Sequence, residues 1–318
     1  MILTMYDVVI VGAGPVGLEC AIRSKRRGLK VIVLEKGIVC NSLVGYPYQM
    51  EFFSTPELLE IGDFPFTCLG YKPTREEALD YYRRVAHQSE LDIQLRTVAQ
   101  GFDRLEDQSL RVRTNKGAFL TKNVIIATGF FDFPNMLGVN GEDLDHVSHY
   151  FYDAHAYAGL DCVVIGAKNS AAKAALQLYR HGAKVTMLVR GVEISPKVKY
   201  WIRPDLLNRI KDGSIRCFYN AEVEYISPDA VTYSCDGSIA SLKADAVFAL
   251  TGYLPDYSLL QSFNVDCDTE GTPILSDTFC STNPGVYLAG TVCGGRRTST
   301  WFIENGRQHA EIILNEIA

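Results

Sequence analysis

The chain has 318 residues, which is enough for two domains that each bury a core. Its 47% hydrophobic and 21% charged residues are typical of a globular protein, and its net charge of −6 disfavours nucleic acid or anionic lipid as a partner. The nine cysteines form no CxxC pair and no zinc pattern, and no apolar run approaches the ~18 residues of a membrane-spanning helix. We therefore expect a cytoplasmic protein that binds no metal, nucleic acid or membrane.

The first third of the chain predicts a strand over 6–12, a helix over 15–28 and a second strand over 30–35. The turn between them reads Gly-Ala-Gly-Pro-Val-Gly from residue 12. Its first glycine permits the turn, its second lets a pyrophosphate approach the backbone, and its third allows close helix packing. An acid ends the second strand, where it can bind ribose hydroxyls. The pattern predicts a βαβ unit with these dinucleotide-binding residues: Gly12, Gly14, Pro15, Gly17, Glu35 and Lys36.

The pattern recurs from Asp161, with a helix from Ala171 to His181 and a strand over 183–190. Its turn is degenerate, because a lysine replaces the second glycine and an alanine the third. An arginine ends the strand where an NAD-binding unit usually carries an acid, and a forked cation favours the 2′-phosphate of NADPH. Basic residues at 197, 199 and 203 either extend this phosphate site or are solvated. The predicted NADPH ligands are Gly166, Lys168, Asn169, Ser170, Arg190 and Lys199.

Two similar strand-and-turn segments, 123–129 and 245–252, predict the crossings between the domains. A later strand over 286–290 and a final helix from about Trp301 to Ala318 need a sheet to join, and the first domain is the simplest host. We therefore predict an α/β protein with two Rossmann-like dinucleotide-binding domains. The first is discontinuous, over 1–140 and 253–318, and the second is inserted over 141–252.

A set of short motifs spans almost the whole chain: Gly12-Ala-Gly-Pro, Gly45-Tyr-Pro, Phe52-Phe-Ser, Leu59-Glu-Ile-Gly62, Ala127-Thr-Gly129, Gly166-Ala-Lys-Asn-Ser170, Arg190-Gly191, Ser195-Pro196, Gly252-Tyr-Leu-Pro-Asp256 and Ile303-Glu-Asn-Gly306. Together they resemble the YpdA family of bacillithiol disulfide reductases, which is related to the low-molecular-weight thioredoxin reductases. The resemblance implies FAD in the first domain, NADPH in the second, and a cytoplasmic homodimer or homotetramer.

The resemblance also implies positions near the flavin. Thr128 and Gly129 follow one strand, and Gly290 and Thr291 follow another, at the points where flavoproteins with two dinucleotide domains approach the flavin. Tyr46 lies in an irregular aromatic stretch that either covers the flavin or shapes a substrate pocket, although any single ring there can equally be core. No histidine has a recognisable partner in the sequence, so no catalytic residue is assigned.

Two departures from the resemblance concern thiols. Residues 130–161 contain no cysteine, so the CxxC pair of thioredoxin reductases is missing. The better-studied YpdA members carry a cysteine after the proline of the first glycine loop, where this chain has Val16. Cys40 and Cys293 remain near the predicted flavin, but a lone cysteine usually behaves as a small buried hydrophobe.

The electron acceptor therefore stays open between three alternatives. A small-molecule disulfide such as bacillithiol disulfide is implied by the resemblance. A small redox protein such as ferredoxin, or a quinone, is favoured by Val16. A non-catalytic redox sensor that binds FAD and NADPH is the third, because the motifs by themselves only bind nucleotides.

Overall fold

The computed structural model describes residues 4–317, and contacts within them separate two compact units. The discontinuous unit comprises the described residues up to Gly45, Gln49–Phe133, and those from Tyr253 onward. The inserted unit comprises Tyr46–Tyr48 and Pro134–Gly252. The chain thus leaves the discontinuous unit after Phe133 and returns to it at Tyr253. Which unit binds which dinucleotide stays a prediction.

The strands of the described residues, in chain order, are β1 Met5–Val11, β2 Val31–Glu35, β3 Ile93–Leu95, β4 Ala99–Arg104, β5 Leu110–Thr114, β6 Gly117–Ile126, β7 Val147–Ser148, β8 Asp161–Ile165, β9 Lys184–Leu188, β10 Arg216–Phe218, β11 Ala221–Ser227, β12 Ala230–Cys235, β13 Ser238–Lys243, β14 Ala246–Ala249 and β15 Val286–Leu288.

The α-helices are α1 Pro15–Arg26, α2 Asn41–Val44, α3 Pro56–Leu59, α4 Arg75–Gln88, α5 Asn169–Arg180, α6 Arg203–Lys211, α7 Tyr257–Ser262, α8 Ile303–Gly306 and α9 His309–Ile317. The described part of the chain also contains short 3₁₀ helices at His155–Tyr157 and Gly290–Gly294.

The sheet of the discontinuous unit has the order β3-β2-β1-β6-β5-β4, with β15 also paired to β6. β1, β2, β3, β6 and β15 run parallel, whereas β4, β5 and β6 form an antiparallel meander. The long β6 serves both parts, because residues 117–121 pair with β5 and residues 124–126 pair with β15. Apart from the exposed edge strand β3, the paired parts of the parallel strands are mostly apolar and buried, as expected for a sheet covered on both faces. Their carboxyl ends therefore meet at one edge, where the first glycine loop lies.

The inserted unit has a parallel sheet of order β10-β9-β8-β14-β7 and a separate antiparallel sheet of β11, β12 and β13. The second predicted βαβ unit is present as β8, α5 and β9. Buried side chains from both sheets, including Val163, Leu188 and Val231, form one core cluster. The second glycine loop follows β8 at the carboxyl edge of the parallel sheet.

The predicted single helix from Trp301 onward was wrong, because the structure has α8 and α9 with a turn between them. Gly306 ends α8 where its backbone presses on the Gly290 turn, and a Cβ on Gly306 would lie 3.0 Å from Gly290 Cα. The amides of Gln308 and Ala310 donate to carbonyls three residues earlier, at 3.2 and 3.4 Å. This tighter spacing interrupts the α-helical hydrogen-bond pattern after α8, and α9 begins at His309.

Candidate functional site

The first glycine loop joins the end of β1 to the start of α1. The Gly12 amide donates to Leu34 O at 2.8 Å, which ties the loop to β2. On its inner side the loop has no room for a side chain at Gly17, because a Cβ there would lie 2.0 Å from Gly12 O. It is open at Gly14, whose Cβ position has no heavy atom of residues 4–317 within 4 Å. α1 has Pro15 in its first turn and no side-chain cap, so its amides remain available to an anion such as pyrophosphate.

Glu35 lies against the same loop. Its carboxylate accepts the Ala13 amide at 2.8 Å and the Gly37 amide at 2.7 Å. Burial raises the pKa of Glu35, although the two amide hydrogen bonds oppose that shift. Each oxygen keeps a second lone pair for a ribose hydroxyl, so holding the loop and binding ribose are compatible roles. The neighbouring Lys36 is engaged by the protein, since its Nζ lies 2.7 Å from an Asp132 carboxylate oxygen.

The predicted flavin-contacting residues of β6 and β15 come together in the discontinuous unit. The Ala289 amide donates to Ile126 O at 2.9 Å, which places the two strand ends side by side. As a result, Thr291 Oγ1 is 3.5 Å from the position of a Cβ on Gly129. Thr128 lies next to the glycine loop, and its Oγ1 is buried with no hydrogen-bond partner among residues 4–317. An orphaned buried hydroxyl at this place fits a cofactor that supplies the partner.

The second glycine loop in the inserted unit holds a neighbouring segment, residues 195–199. Asn169 Oδ1 accepts the Lys199 amide at 3.0 Å, and Asn169 Nδ2 donates to Lys197 O at 3.4 Å. The Ser195 amide donates to Ala167 O at 3.0 Å. The predicted ligand Asn169 therefore has a second role that the sequence did not reveal, which is to fix the segment carrying Lys199.

The other predicted NADPH residues lie at the same edge. Lys168 and Ser170 are exposed at the start of α5, which has no side-chain cap, and Gly166 forms the turn after β8. Arg190 follows β9, is exposed, and has no hydrogen bond or ion pair to another described residue. Arg203 is different, because its guanidinium pairs with Glu193 at 3.0 Å. The Arg203 side chain is therefore already paired with another residue of the protein.

Tyr46 is not grouped with the other predicted flavin residues. It belongs to the short segment Tyr46–Tyr48, which packs with the inserted unit, and the Tyr48 amide donates to Tyr152 O at 3.0 Å. Its predicted contact with the flavin stays a prediction.

The thiols near the predicted flavin are sequestered. Cys40 and Cys293 are 1% and 5% exposed, and burial raises the pKa of both thiols far above that of an ordinary cysteine. Val16 is also buried and fills the space beside Gly290, whose Cβ would lie 3.1 Å from Val16 Cγ2. No reactive thiolate is therefore provided by these three positions.

Among residues 4–317, no helix is long and apolar enough to cross a bilayer. Within the same range, no group of three or more His, Cys, Asp or Glu side chains is arranged to hold a metal ion.

Residues 9–290 match the family described as pyridine nucleotide-disulphide oxidoreductase. The chain belongs to this family. It is 42% identical to the bacilliredoxin reductase Bdr of Bacillus subtilis strain 168, covering 98% of this chain and 97% of the relative. The solved bacillithiol disulfide reductase Bdr (YpdA) of Bacillus cereus is 37% identical with a TM-score of 0.95, covering 99% of both chains. The Staphylococcus aureus structure is also 37% identical, with a TM-score of 0.94 and coverage of 99% and 98%.

Membership of the pyridine nucleotide-disulphide oxidoreductases makes this chain an enzyme, an FAD-dependent oxidoreductase that uses NADPH. The predictions of two Rossmann-like domains, of the YpdA resemblance and of both cofactors are confirmed. The residue-level assignments stay predictions. Sequence reasoning missed His309, which contacts the Gly290 turn, because the residues that surround it are scattered along the chain.

Proposed function

We propose that this chain reduces a low-molecular-weight disulfide, with bacillithiol disulfide as the first candidate. The observation that carries the proposal is the 42% identity, over nearly the full length of both chains, to a bacilliredoxin reductase. One NADPH, one proton and one disulfide give NADP⁺ and two thiols, so the electrons and protons balance. Bound FAD supplies the two-electron relay between the nicotinamide and the disulfide.

The discontinuous unit offers what FAD binding requires. In the proposal, the open backbone at Gly14 and the uncapped start of α1 bind the pyrophosphate, with Gly12, Pro15 and Gly17 shaping the loop. Glu35 binds a ribose. The orphaned Thr128 hydroxyl donates or accepts a hydrogen bond at the cofactor, and Gly129, Gly290 and Thr291 border the flavin.

The inserted unit offers a matching site for NADPH. The uncapped start of α5, with Gly166, Lys168, Asn169 and Ser170, binds the pyrophosphate. The exposed Arg190 guanidinium binds the 2′-phosphate in a forked geometry, and Lys199 adds a second cation. Charge complementarity of this kind selects NADPH over NADH.

Electrons leave the flavin in this proposal without passing through a cysteine of the chain. The usual thiol route needs a thiolate that attacks sulfur. Val16 has no thiol, and Cys40 and Cys293 are buried with raised pKa values. With no thiolate at these three positions, the acceptor would react directly at bound FAD. We also propose that the protein acts in the cytoplasm as a homodimer or homotetramer.

The proposal is tested with protein reduced anaerobically by NADPH and then mixed with separate acceptors: bacillithiol disulfide, glutathione disulfide, a ferredoxin and a quinone. We expect bacillithiol disulfide to give the highest kcat/KM of the four. A higher value for ferredoxin or the quinone would replace the disulfide with that acceptor. Reduction by NADPH without turnover on any of them would favour a redox sensor.

A further inference from the structure

His309 begins α9 in the discontinuous unit and lies against two aromatic rings, those of Phe279 and Trp301, which form an aromatic cage. Its side chain is among the most buried polar groups, with 1% exposure. The imidazole stacks on the Phe279 ring with centroids 3.7 Å apart and 15° between the planes. Trp301 contacts it in a T-shaped arrangement at 4.4 Å. The position of the imidazole is therefore fixed from two directions.

The imidazole is engaged by the turn that follows β15. Nδ1 accepts the Gly290 amide at 3.2 Å, and Cys293 Sγ lies 3.8 Å from the same nitrogen. Because Nδ1 accepts, the single proton of the neutral ring is on Nε2. Nε2 is buried and has no hydrogen-bond partner in the described part of the chain. Burial lowers the pKa of His309 to about 4, so the ring is neutral at physiological pH.

Phe279 forms its side of the cage in an unfavourable backbone conformation. Its φ of +62° is in the left-handed region, which is rare for a bulky side chain. Strain of this kind persists where the surroundings enforce it, and it clusters at functional sites. Phe279 O also accepts the Leu288 amide at 3.0 Å. The strained residue is thus joined to the end of β15, two residues before Gly290.

The turn itself is constrained from the opposite side. Gly290 has φ +79°, and the Val16 side chain would lie in tight contact with a Gly290 Cβ, at 3.1 Å. One residue later, Thr291 presents its hydroxyl beside Gly129. A small change in the Gly290 peptide would therefore move Thr291 away from Gly129.

We propose that His309 is a positioning residue for the flavin: by accepting the Gly290 amide proton, it fixes the turn that holds Thr291 beside Gly129. This inference rests on the proposed binding of FAD in the discontinuous unit. A hydrocarbon side chain cannot accept the Gly290 amide, and a buried amide left without an acceptor drives the turn to rearrange.

Three variants test the inference: His309→Leu removes the acceptor, His309→Asn retains one near Nδ1, and Leu314→Ala is a matched control. Leu314 is fully buried on the same helix, so its truncation destabilises that region without changing the Gly290 hydrogen bond. The readouts are the Kd of the apoprotein for FAD and the midpoint potential of the bound flavin. For His309→Leu we expect the Kd to rise about tenfold and the potential to shift, because one buried hydrogen bond is lost.

For His309→Asn we expect a Kd within about threefold of wild type, and for Leu314→Ala a lower Tm with a wild-type potential. A wild-type Kd and potential in His309→Leu would overturn the inference, and so would an equal shift in Leu314→Ala or no rescue in His309→Asn. Failure of the wild-type protein to bind FAD would instead overturn the proposed function.

A measurement on the wild-type protein remains decisive if His309→Leu does not fold. Nitrogen NMR of the histidine rings at pH 7 should show a neutral His309 with its proton on Nε2. A proton on Nδ1 would contradict the hydrogen bond on which the inference depends.

Discussion

Arg190 is the residue on which the proposed preference for NADPH depends. It is exposed and has no ion-pair partner among the described residues, so its guanidinium can bind a 2′-phosphate without first breaking an internal contact. In Arg190→Gln we expect kcat/KM for NADPH to fall about tenfold to a hundredfold, since a charged hydrogen bond is lost, while the value for NADH stays the same.

The matched control is Arg216→Gln, which removes another exposed arginine of the inserted unit. Steady-state kinetics with both nucleotides should leave this control like wild type. An equal loss for NADPH and NADH in Arg190→Gln would argue against a 2′-phosphate contact.

The lowered pKa of His309 also predicts how the free energy of unfolding depends on pH. Its pKa falls from 6.5 to about 4 on folding, so the unfolded chain takes up the proton first as the pH falls. The stabilisation from the neutral imidazole is complete above pH 6.5, declines between pH 6.5 and 4, and changes no further below that range. We expect wild type to lose about 3 kcal/mol more than His309→Asn between pH 7 and 4.

Denaturant unfolding of both apoproteins across this range measures the difference. Carboxylates titrate in both proteins and cancel in the comparison. Parallel curves for the two proteins would show that His309 does not titrate with a depressed pKa.

At the scale of the elements, the first glycine loop has one glycine with no room for a side chain, Gly17, and one that faces free space, Gly14. A Cβ at residue 17 would meet Gly12 O at 2.0 Å, whereas residue 14 faces open space. Gly17→Ala should therefore destabilise the apoprotein by about 3 kcal/mol or more through overpacking. Gly14→Ala should leave apoprotein stability within about 1 kcal/mol of wild type and still weaken FAD binding, because its methyl group occupies the approach of the pyrophosphate.

Thermal unfolding of the apoproteins and titration with FAD separate these two effects. Wild-type FAD affinity in Gly14→Ala would show that the pyrophosphate does not bind at this loop.

The second glycine loop predicts a coupled effect through Asn169. Its side chain holds segment 195–199 by accepting the Lys199 amide at 3.0 Å. In Asn169→Ala, that amide should exchange its hydrogen faster, and the KM for NADPH should rise about threefold to tenfold with kcat unchanged. Asn208→Ala, an exposed asparagine on α6, is the control.

Hydrogen exchange and steady-state kinetics measure the two quantities on the same preparations. Unchanged exchange at Lys199 with a raised KM would mean that Asn169 contacts only the nucleotide.

The sequence predicted local elements more readily than contacts between distant residues. The first glycine loop was found because three glycines with fixed roles occur within six residues, between an apolar strand and a helix. The break between α8 and α9 was missed because it depends on the approach of Gly306 to Gly290, sixteen positions earlier. The cage around His309 was missed for the same reason, since Phe279 and Trp301 carry no pattern that links them to it.

At the scale of the whole molecule, the repeat of two βαβ units was readable because each begins with the same run of strand, turn and helix. The roles of the cysteines were harder to predict, because the spacing of cysteines along the sequence does not show which of them are buried. The structure provides that information, because it shows that Cys40, Cys293 and the neighbouring Val16 are all buried. We therefore propose a disulfide reductase in which electrons leave the flavin directly.

The most direct test of that account is a single turnover of the double variant Cys40→Ser/Cys293→Ser with bacillithiol disulfide, alongside wild type. NADPH should reduce the flavin of both proteins, and the disulfide should reoxidise both at similar rates. Each NADPH consumed should yield two thiols. Reoxidation in wild type but not in the double variant would show that a cysteine carries the electrons, and NADPH oxidation without thiol formation in either protein would show that the disulfide is not the acceptor.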